Sequence, residues 1–305
     1  MARFVVTGAT GTIGRALIRE LQRGDNGVTA LSRDPDAARG KLPAGVDLHR
    51  WSDPTGSQPP RSALSGADGV VHLLGEPIAQ RWTESAKRAI RDSRVLSTKN
   101  LVEGLRELPD AELPSVLVSQ SATGYYGSTG DSEISEAAGA GSDFLAQVVI
   151  DWEREARAAE PLMRVVLTRT GVVLSAQGGA LGQMLPFFRL GLGGPVGGGK
   201  QYVPWVHLDD VARALAFCSR RDEASGPVNL TAPEPATNAE LSRTLGRVLH
   251  RPAVLPVPGF ALRLLYGEMS QIVTTGVRAV PEALLADGYS FRRPQLEAAL
   301  QAAID

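Results

Sequence analysis

Three glycines near the start of the chain have the spacing of a turn that binds phosphate. Gly8, Gly11 and Gly14 follow a short apolar run at residues 4–7 and open a segment, residues 12–23, with apolar side chains at helical spacing. Glycines let a backbone come close to phosphate oxygens, and a helix N-terminus offers free N–H groups and the positive end of its dipole. The pattern predicts a dinucleotide site, with a merely tight turn in an α/β domain as the alternative. The predicted phosphate contacts are Gly8, Thr10, Gly11, Thr12, Ile13 and Gly14.

The end of the next predicted strand favours NADP over NAD. Residues 28–31 form an apolar run, and Ser32 and Arg33 follow it. An acidic residue about 20 positions after the glycines binds the 2′-hydroxyl of NAD, whereas an arginine suits the 2′-phosphate of NADP. Asp34 is the acidic alternative, but the pair Asp34-Pro35 is typical of a turn and helix cap. We therefore expect Ser32 and Arg33 to contact the cofactor, and a one-residue shift of the strand end would reverse this interpretation.

Composition and charge exclude several classes of protein. The 305 residues include 32 basic and 33 acidic side chains without a basic run, which argues against nucleic acid or an anionic membrane as a partner. Cys218 is the one cysteine, so neither a disulfide framework nor a metal site is predicted. No apolar run approaches the roughly 18 residues of a membrane helix, and the first residues do not resemble a signal peptide. The expected location is the cytoplasm.

The elements that must position these residues alternate along the chain. Predicted strands lie at residues 4–7, 28–31, 46–49, 70–74, 115–119, 164–169 and 228–230, and predicted helices at 12–23, 84–108, 144–159 and 209–220. Such alternation is typical of an α/β protein with a doubly wound parallel sheet, the Rossmann fold. The run 70–74 is apolar on both faces, as in a central strand, so His72 is interpreted as a core histidine rather than a ligand.

The pattern changes after residue 170, where glycine-rich segments and short helices replace the alternation. We predict an NADP-binding Rossmann domain at residues 1–170, completed by residues 207–232. Residues 171–206 and 233–305 are assigned to a smaller, mainly helical C-terminal lobe. Ligands of open parallel sheets lie beyond the carboxyl ends of the strands. The lobe is therefore expected to cover a small-molecule substrate at that edge.

Motifs along almost the full length resemble those of extended short-chain dehydrogenase/reductases, the superfamily of nucleotide-sugar epimerases and dehydratases. The chain is similar in particular to the epimerase family branch that carries an appended C-terminal domain of unknown function. The segments that carry the resemblance are residues 7–14, 74–78, 91–94, 119–127, 204–210 and 260–269. The resemblance implies further cofactor contacts at Leu74, Gly75, Glu76 and Arg94, although many relatives have an asparagine where Arg94 stands.

The chain departs from this superfamily at the residues that move a proton. Relatives carry a Tyr-x-x-x-Lys pair, one helical turn apart, in which the lysine lowers the pKa of the tyrosine. No such pair occurs in this sequence. With Glu153 as the register mark, the corresponding positions are Leu145 and Val149. The usual proton relay is therefore absent.

Three other residues are the catalytic candidates. Ser121 ends the predicted fifth strand, where relatives place an active-site serine, and Tyr125 and Tyr126 follow in the same loop. A tyrosine needs a nearby cation to act as an acid near neutral pH, and Arg94 or Lys200 could supply it. Packing or substrate stacking is the alternative role for the two tyrosines.

These observations lead to three hypotheses of function. The first is an NADP-dependent oxidoreductase that acts on an unknown small carbonyl or hydroxyl compound. The second, favoured by the missing Tyr/Lys pair, is a catalytically silent NADPH-binding sensor or scaffold. A nucleotide-sugar epimerase ranks third, because it needs the missing tyrosine.

Asp209 and Asp210 are interpreted as a helix cap and dipole partner. The oligomeric state stays open, with a homodimer as one alternative.

Overall fold

The computed structural model describes the backbone of residues 1–305 and every side chain except those of residues 261 and 265. The strands are β1 (Arg3–Thr7), β2 (Gly27–Ser32), β3 (Val46–Arg50), β4 (Gly69–His72), β5 (Val116–Ala122), β6 (Glu133–Ile134), β7 (Arg164–Thr170), β8 (Val172–Leu174), β9 (Tyr202–Val203), β10 (Trp205–His207), β11 (Gly226–Leu230), β12 (Ala236–Thr237) and β13 (Arg278–Ala279). The helices are α1 (Thr12–Arg23), α2 (Pro35–Arg39), α3 (Arg61–Leu64), α4 (Glu84–Arg106), α5 (Phe144–Arg157), α6 (Gly179–Arg189), α7 (Leu208–Arg220), α8 (Asn238–Val248), α9 (Gly259–Tyr266), α10 (Gln271–Thr274), α11 (Glu282–Ala286) and α12 (Leu296–Ile304).

Seven of the described strands form one parallel sheet in the order β11-β7-β5-β4-β1-β2-β3. The order reverses between β1 and β4, so the chain winds outward in both directions from this point. This topology confirms the predicted doubly wound sheet. A crevice forms at such a reversal because consecutive connections leave toward opposite sides of the sheet. The predicted phosphate turn lies there, directly after β1.

Alternate residues along each strand divide between two hydrophobic cores. Val6 and Val118 pack with α1 and α7 on one face of the sheet. Val5 and Leu117 pack with α4 and α5 on the other face. Successive side chains of a strand point to opposite faces, so apolar residues at consecutive positions fill both layers. Within the described residues, no helix combines the length and apolar content that a membrane crossing requires.

The C-terminal region forms a third core from α6, α8 and α12, which confirms the predicted helical lobe. Trp205 is buried in this core, and its indole N–H donates to the Glu234 carbonyl at 3.1 Å. Asp210 ties the lobe to α7, because its carboxylate accepts the backbone N–H groups of Arg292 and Arg293 at 2.6 and 2.8 Å. The division of the chain into two units at the predicted boundaries stays a prediction.

Three local predictions were wrong. β4 ends at His72 rather than at residue 74, because the Leu73 N–H bonds to Thr7 Oγ1 and the chain leaves the sheet. β5 continues to Ala122, pairing with β7 along its whole length, so Ser121 lies inside the strand rather than beyond it. The cap of α7 is His207, whose Nδ1 accepts the Asp209 N–H, and the aspartates lie in the first turn.

Candidate dinucleotide site and buried polar network

The glycine turn connects β1 to α1, and two of its glycines are required by the fold. Gly8 has a left-handed backbone with φ of +63°, and a Cβ there would lie 2.6 Å from the Leu73 carbonyl oxygen. A Cβ on Gly14 would lie 2.4 Å from the Gly8 carbonyl oxygen, because α1 packs directly on the turn. Gly11 differs, since its φ is −70° and a Cβ would meet the Gly8 oxygen only at 3.2 Å. Gly11 therefore keeps space free outside the protein, where a phosphate would lie.

The N-terminus of α1 is left open by its sequence. Gly11 is the N-cap residue and has no side chain to offer, and the first turn contains no acidic residue. Hydrogen bonding within the helix begins with the Arg15 N–H, which donates to the Gly11 carbonyl at 3.0 Å. The preceding N–H groups of Thr12, Ile13 and Gly14 therefore receive no side-chain cap in the described structure. These donors and the helix dipole suit a pyrophosphate.

A cleft of about 200 Å³ lies between this turn and the end of β2. Five predicted cofactor contacts line it together: Gly8, Thr10, Ser32, Arg33 and Leu74. The remaining lining residues are Ala9, Leu31, Asp34, Ala37, Ala38, Lys41, Trp51 and Pro54. The fold thus gathers residues that are far apart in the sequence into one cavity with two cations, Arg33 and Lys41.

Asp34 serves as a helix cap, in agreement with the sequence interpretation. Its Oδ1 accepts the N–H groups of Asp36 and Ala37 at 3.1 and 3.2 Å at the start of α2. The Ser32 hydroxyl donates to the Asp34 carbonyl at 3.0 Å and fixes the chain as it leaves β2. The Arg33 side chain stays exposed at the rim of the cleft. At this edge, therefore, the Asp34 carboxylate is engaged as a cap and the Arg33 side chain lines the cleft.

Sequence reasoning missed the other side of the cleft. Lys41 follows α2, and this short capped helix returns the chain toward the end of β2. The cap at Asp34 was the signal that could have placed Lys41 at the cleft, because the cap fixes a helix of five residues between Arg33 and Lys41. Trp51 lies just after β3, and its indole N–H donates to the Ser57 carbonyl. Nothing in its position in the sequence indicates that it lines the cleft.

The predicted contacts after β4 lie in one loop beside α4. The Arg94 guanidinium packs under Gly75, where an added Cβ would lie 3.0 Å from Arg94 Cζ. Burial lowers the pKa of Arg94 to about 10, although the nearby Glu76 carboxylate opposes this shift. The Glu76 side chain is exposed, and its N–H bonds to Ser93 Oγ at 2.9 Å. Contact of Gly75, Glu76 and Arg94 with a cofactor stays a prediction.

His72 is a core histidine, as the sequence analysis interpreted it. It is fully buried, and burial lowers its pKa to about 3, so the ring is neutral. Its Nδ1 lies 2.9 Å from Thr7 Oγ1, and its Nε2 lies 3.3 Å from Ser97 Oγ. Because Ser97 donates to the Ser93 carbonyl, we assign Nε2 as the protonated nitrogen. The ring therefore connects β1, β4 and α4 beneath the candidate site.

Ser121 is the first member of a buried polar network. Its hydroxyl donates to Glu153 Oε1 at 2.6 Å. Arg169, near the end of β7, holds the same carboxylate with Nε and Nη2 at 2.8 and 2.9 Å. Glu153 and Arg169 are 4% and 2% exposed. Burial by itself would lower the Arg169 pKa, but the hydrogen bonds and charge of Glu153 raise it overall. The network therefore contains a buried, bidentate ion pair.

Tyr126 continues this network toward the C-terminal region. Its hydroxyl donates to Asn229 Oδ1 at 2.7 Å and accepts from Arg169 Nη1 at 3.0 Å. Burial raises the Tyr126 pKa, although Arg169 opposes this shift. Glu136 accepts the N–H groups of Asn229 and Ala283 at 2.8 and 3.3 Å, and burial raises its pKa as well. Catalysis by Ser121 and Tyr126 stays a prediction, and both hydroxyls already have protein partners.

Tyr125 differs from the other two catalytic candidates. It is half-buried, and the Arg169 guanidinium stacks on its ring with Cζ 3.5 Å from the ring centre. Its hydroxyl has no protein hydrogen-bond partner among the described side chains. The cation in contact with this tyrosine is therefore Arg169, rather than the predicted Arg94 or Lys200.

Helix α5 presents apolar residues where relatives carry the Tyr/Lys pair. Leu145 lies beside the turn Thr123–Tyr126, because a Cβ on Gly124 would lie 3.5 Å from Leu145 Cβ. Val149 follows one turn later and is buried. Glu153 continues the same face and meets Ser121. Sequence reasoning used Glu153 only as a register mark, although a carboxylate on an apolar helix face was a signal of a buried partner.

Comparison with known proteins identifies the family. Residues 4–230 match the model of the NAD dependent epimerase/dehydratase family. The chain belongs to this family. Residues 257–303 match a domain of unknown function, DUF1731, which confirms the predicted branch.

Among the described residues, no group of three or more His, Cys, Asp or Glu side chains is arranged to hold a metal ion.

Full-length relatives extend this assignment. An epimerase family protein of Mycobacterium bovis is 40% identical over 302 residues, which cover 98% of this chain and 96% of the relative. A homolog of epimerase family protein SDR39U1 from Arabidopsis thaliana, described as chloroplastic, is 37% identical and covers 97% of this chain and 85% of the relative. The crystal structure of human epimerase family protein SDR39U1 (isoform 2) with NADPH has a TM-score of 0.89 and 34% identity, covering 99% of both chains.

Proposed function

We propose that the protein binds NADPH and uses it in the reduction of a small carbonyl compound, or in the reverse oxidation. The observation that carries the proposal is the cleft lined both by the glycine turn, at Gly8 and Thr10, and by the cations Arg33 and Lys41, with the uncapped N-terminus of α1 directly after the turn. The human relative crystallised with NADPH supports the same cofactor. A carboxylate at the 2′ position would favour NAD instead, but Asp34 is engaged as a helix cap.

The N-terminus of α1 and the residues of the cleft have separate roles in this proposal. The N–H groups at residues 12–14 bind the pyrophosphate, and Gly11 leaves the room for it. Arg33 and Lys41 bind the 2′-phosphate, while Leu31 and Trp51 form an apolar wall. NADPH, when bound, supplies a hydride. Tyr125, with Arg169 against its ring, is the residue of this chain that would move the proton.

A catalytically silent NADPH-binding sensor is the second candidate. It is favoured by Leu145 and Val149, which cannot transfer a proton, and by the hydrogen bonds that already occupy the Ser121 and Tyr126 hydroxyls. A nucleotide-sugar epimerase of the usual kind ranks lower, because it requires the missing tyrosine.

Isothermal titration calorimetry with NADPH and NADH tests the cofactor. A charge-assisted bond to phosphate is worth about 1.5–3 kcal/mol, so NADPH should bind roughly tenfold or more tightly than NADH. Arg33→Ala and Lys41→Ala should each reduce this ratio and leave NADH affinity unchanged. Arg39→Ala is the matched control, because Arg39 is exposed on α2 but does not line the cleft. Equal affinity of the parent for both cofactors would refute the 2′-phosphate assignment.

Turnover distinguishes the reductase from the sensor. NADPH oxidation is followed over a panel of aldehydes and ketones, where we expect slow activity because a tuned acid usually contributes about 10²–10⁴-fold. Tyr125→Phe should lower kcat and keep NADPH affinity. If no compound in the panel gives turnover while NADPH binds tightly, the sensor is favoured. Fast reduction that survives Tyr125→Phe and Ser121→Ala would contradict the proposed proton donor.

A further inference from the structure

Two segments of the C-terminal lobe carry positive charge without any carboxylate. Residues 176–203 and 241–267 contain six arginine and lysine residues and neither aspartate nor glutamate, in a chain whose net charge is −1. The six are Arg189, Lys200, Arg243, Arg247, Arg251 and Arg263. The balanced charge of the whole chain argued against an anionic membrane as a partner. That balance conceals the separation of positive charge into these two segments.

The same two segments hold most of the large apolar side chains that are exposed to solvent. Phe187 is 59% exposed, Leu190 73% and Leu192 55%, and Val254 and Leu255 are 75% and 49% exposed. Phe260 and Leu264, one turn apart on α9, are each 77% exposed. Scattered exposed apolar residues are ordinary on a protein surface, whereas exposed apolar residues that lie together are typical of an interaction site.

The two segments meet on one surface. Arg251 Nε donates to the Arg189 carbonyl at 3.0 Å, and a Cβ on Gly191 would lie 3.4 Å from the Pro252 ring. One groove is lined by Arg243, Arg247, His250 and Arg251 together with Val254. We call this surface the basic apolar patch. Its members are Phe187, Arg189, Leu190, Leu192, Arg243, Arg247, Arg251, Val254 and Leu255.

Helix geometry accounts for only part of the patch. Arg189 and Arg247 lie in the last turns of α6 and α8, where a cation suits the helix dipole. Arg247 also pairs with Glu297 at 2.9 Å. Among the ion pairs of the described residues none involves Arg189 or Arg251, whereas the charge of Arg243 contributes to lowering the pKa of the neighbouring Glu240. Neither the helix dipole nor this ion pair explains why exposed leucine, valine and phenylalanine side chains lie between the arginines.

We propose that the basic apolar patch docks on the surface of an anionic phospholipid bilayer. The apolar side chains would enter the boundary between headgroups and acyl chains, while the arginines bind lipid phosphates. A second copy of the chain is a poor occupant, because two cationic surfaces with few carboxylates repel each other in a two-fold contact. The attachment we propose is peripheral, with the side chains of the basic apolar patch at the bilayer surface.

Vesicle flotation tests this docking. The full chain is mixed with phosphatidylcholine vesicles, with or without a phosphatidylglycerol fraction of about a third, at low and at physiological salt. We expect flotation only with phosphatidylglycerol and weaker binding at the higher salt. Absence of binding to anionic vesicles, or equal binding to neutral ones, would overturn the proposal.

Paired variants separate the two components of the patch. Each arginine near an anionic surface strengthens partitioning onto the bilayer by about fivefold. The double variant Arg189→Glu with Arg251→Glu should therefore lower the partition coefficient by about 25-fold or more. Phe187→Gln with Leu190→Gln should also weaken flotation, because the inserted apolar area is lost. The matched controls, Arg23→Glu and Leu285→Gln, change exposed residues outside the patch and should float like the parent.

Folding and self-association are checked on the same proteins. Unchanged NADPH affinity and melting temperature show that the variants are folded, since the patch residues do not line the cleft. Sedimentation velocity gives the oligomeric state. A patch variant that dissociates an oligomer but floats like the parent would assign the patch to a second copy and overturn the membrane proposal.

Discussion

Breaking the ion pair between Glu153 and Arg169 should destabilise the protein strongly. Glu153→Gln keeps the size of the side chain and the hydrogen bond from Ser121, but it leaves the Arg169 charge without its counter-ion. Arg169→Met leaves the Glu153 carboxylate with Ser121 as its remaining described partner. In both variants the surviving charge stays buried, because the two side chains are 4% and 2% exposed.

The expected magnitude follows from this burial. Removal of one partner of a buried pair costs about 3–5 kcal/mol, most of which is the desolvation of the unpaired charge. In a chain of this size, that corresponds to a melting temperature lower by roughly 5–8 °C. The double variant removes both charges, so it should be less destabilised than the sum of the single variants by at least about 1 kcal/mol.

Urea unfolding at neutral pH measures the free energy of unfolding of the four proteins in this cycle. A matched control is the pair Arg91 and Asp151, which joins α4 and α5 at 2.8 Å but is partly exposed. Asp151→Asn should cost no more than about 1 kcal/mol. If Glu153→Gln costs as little as this control, the reasoning about an uncompensated buried charge is wrong.

Three further predictions concern the turn, the core histidine and α5. Gly11→Val should abolish NADPH binding in calorimetry while the melting temperature stays near that of the parent. Gly14→Val should instead lower the melting temperature, because its Cβ would lie 2.4 Å from a carbonyl oxygen. Normal NADPH affinity of Gly11→Val would show that the turn has only a structural role. Burial holds the pKa of His72 near 3 in the folded protein, so below pH 6.5 the unfolded state takes up a proton that the folded state does not. The free energy of unfolding therefore falls as the pH falls from 6.5 toward about 3, and by pH 5 the loss is about 2 kcal/mol. Urea unfolding between pH 5 and 8 should show a shallower slope for His72→Asn, and an identical slope would contradict the assignment. Leu145→Tyr with Val149→Lys should raise NADPH oxidation if the register from α5 is right, and a folded, NADPH-binding variant without any gain would refute that register.

Local sequence signals predicted the sheet and the glycine turn well, and phosphate binding at the turn stays a prediction. The runs after Arg3, Gly27 and Val116 became strands because they are apolar at consecutive positions, which suits a sheet buried on both faces. The turn could be recognised because its glycines are regularly spaced between an apolar strand and an amphipathic helix, and Gly14 is fixed by contacts within the turn itself. The Asp34 cap was equally local, since a capping side chain bonds to N–H groups two or three residues later.

Strand ends and polar partners were less accessible to sequence reasoning. β5 extends past Ser121 because β7 offers it a pairing partner as far as Thr170, which no local pattern in β5 records. For the same reason the serine expected at the edge of the sheet lies within it, bonded to a carboxylate 32 residues away. Such contacts depend on how two elements pack.

The sequence by itself determined the fold class, because apolar runs that alternate with helical patterns are typical of a parallel sheet covered on both faces. Its motifs carried the resemblance that identified the family, and its glycine turn predicts where phosphates would bind. The tertiary structure decided which polar groups meet. It brought Lys41 into the same cleft as Arg33, engaged Ser121 and Tyr126 in a network with Arg169, and brought two carboxylate-free segments together on one surface. These juxtapositions join residues from separate elements, and the free energy that fixes them comes from burial of those elements against each other rather than from any local propensity.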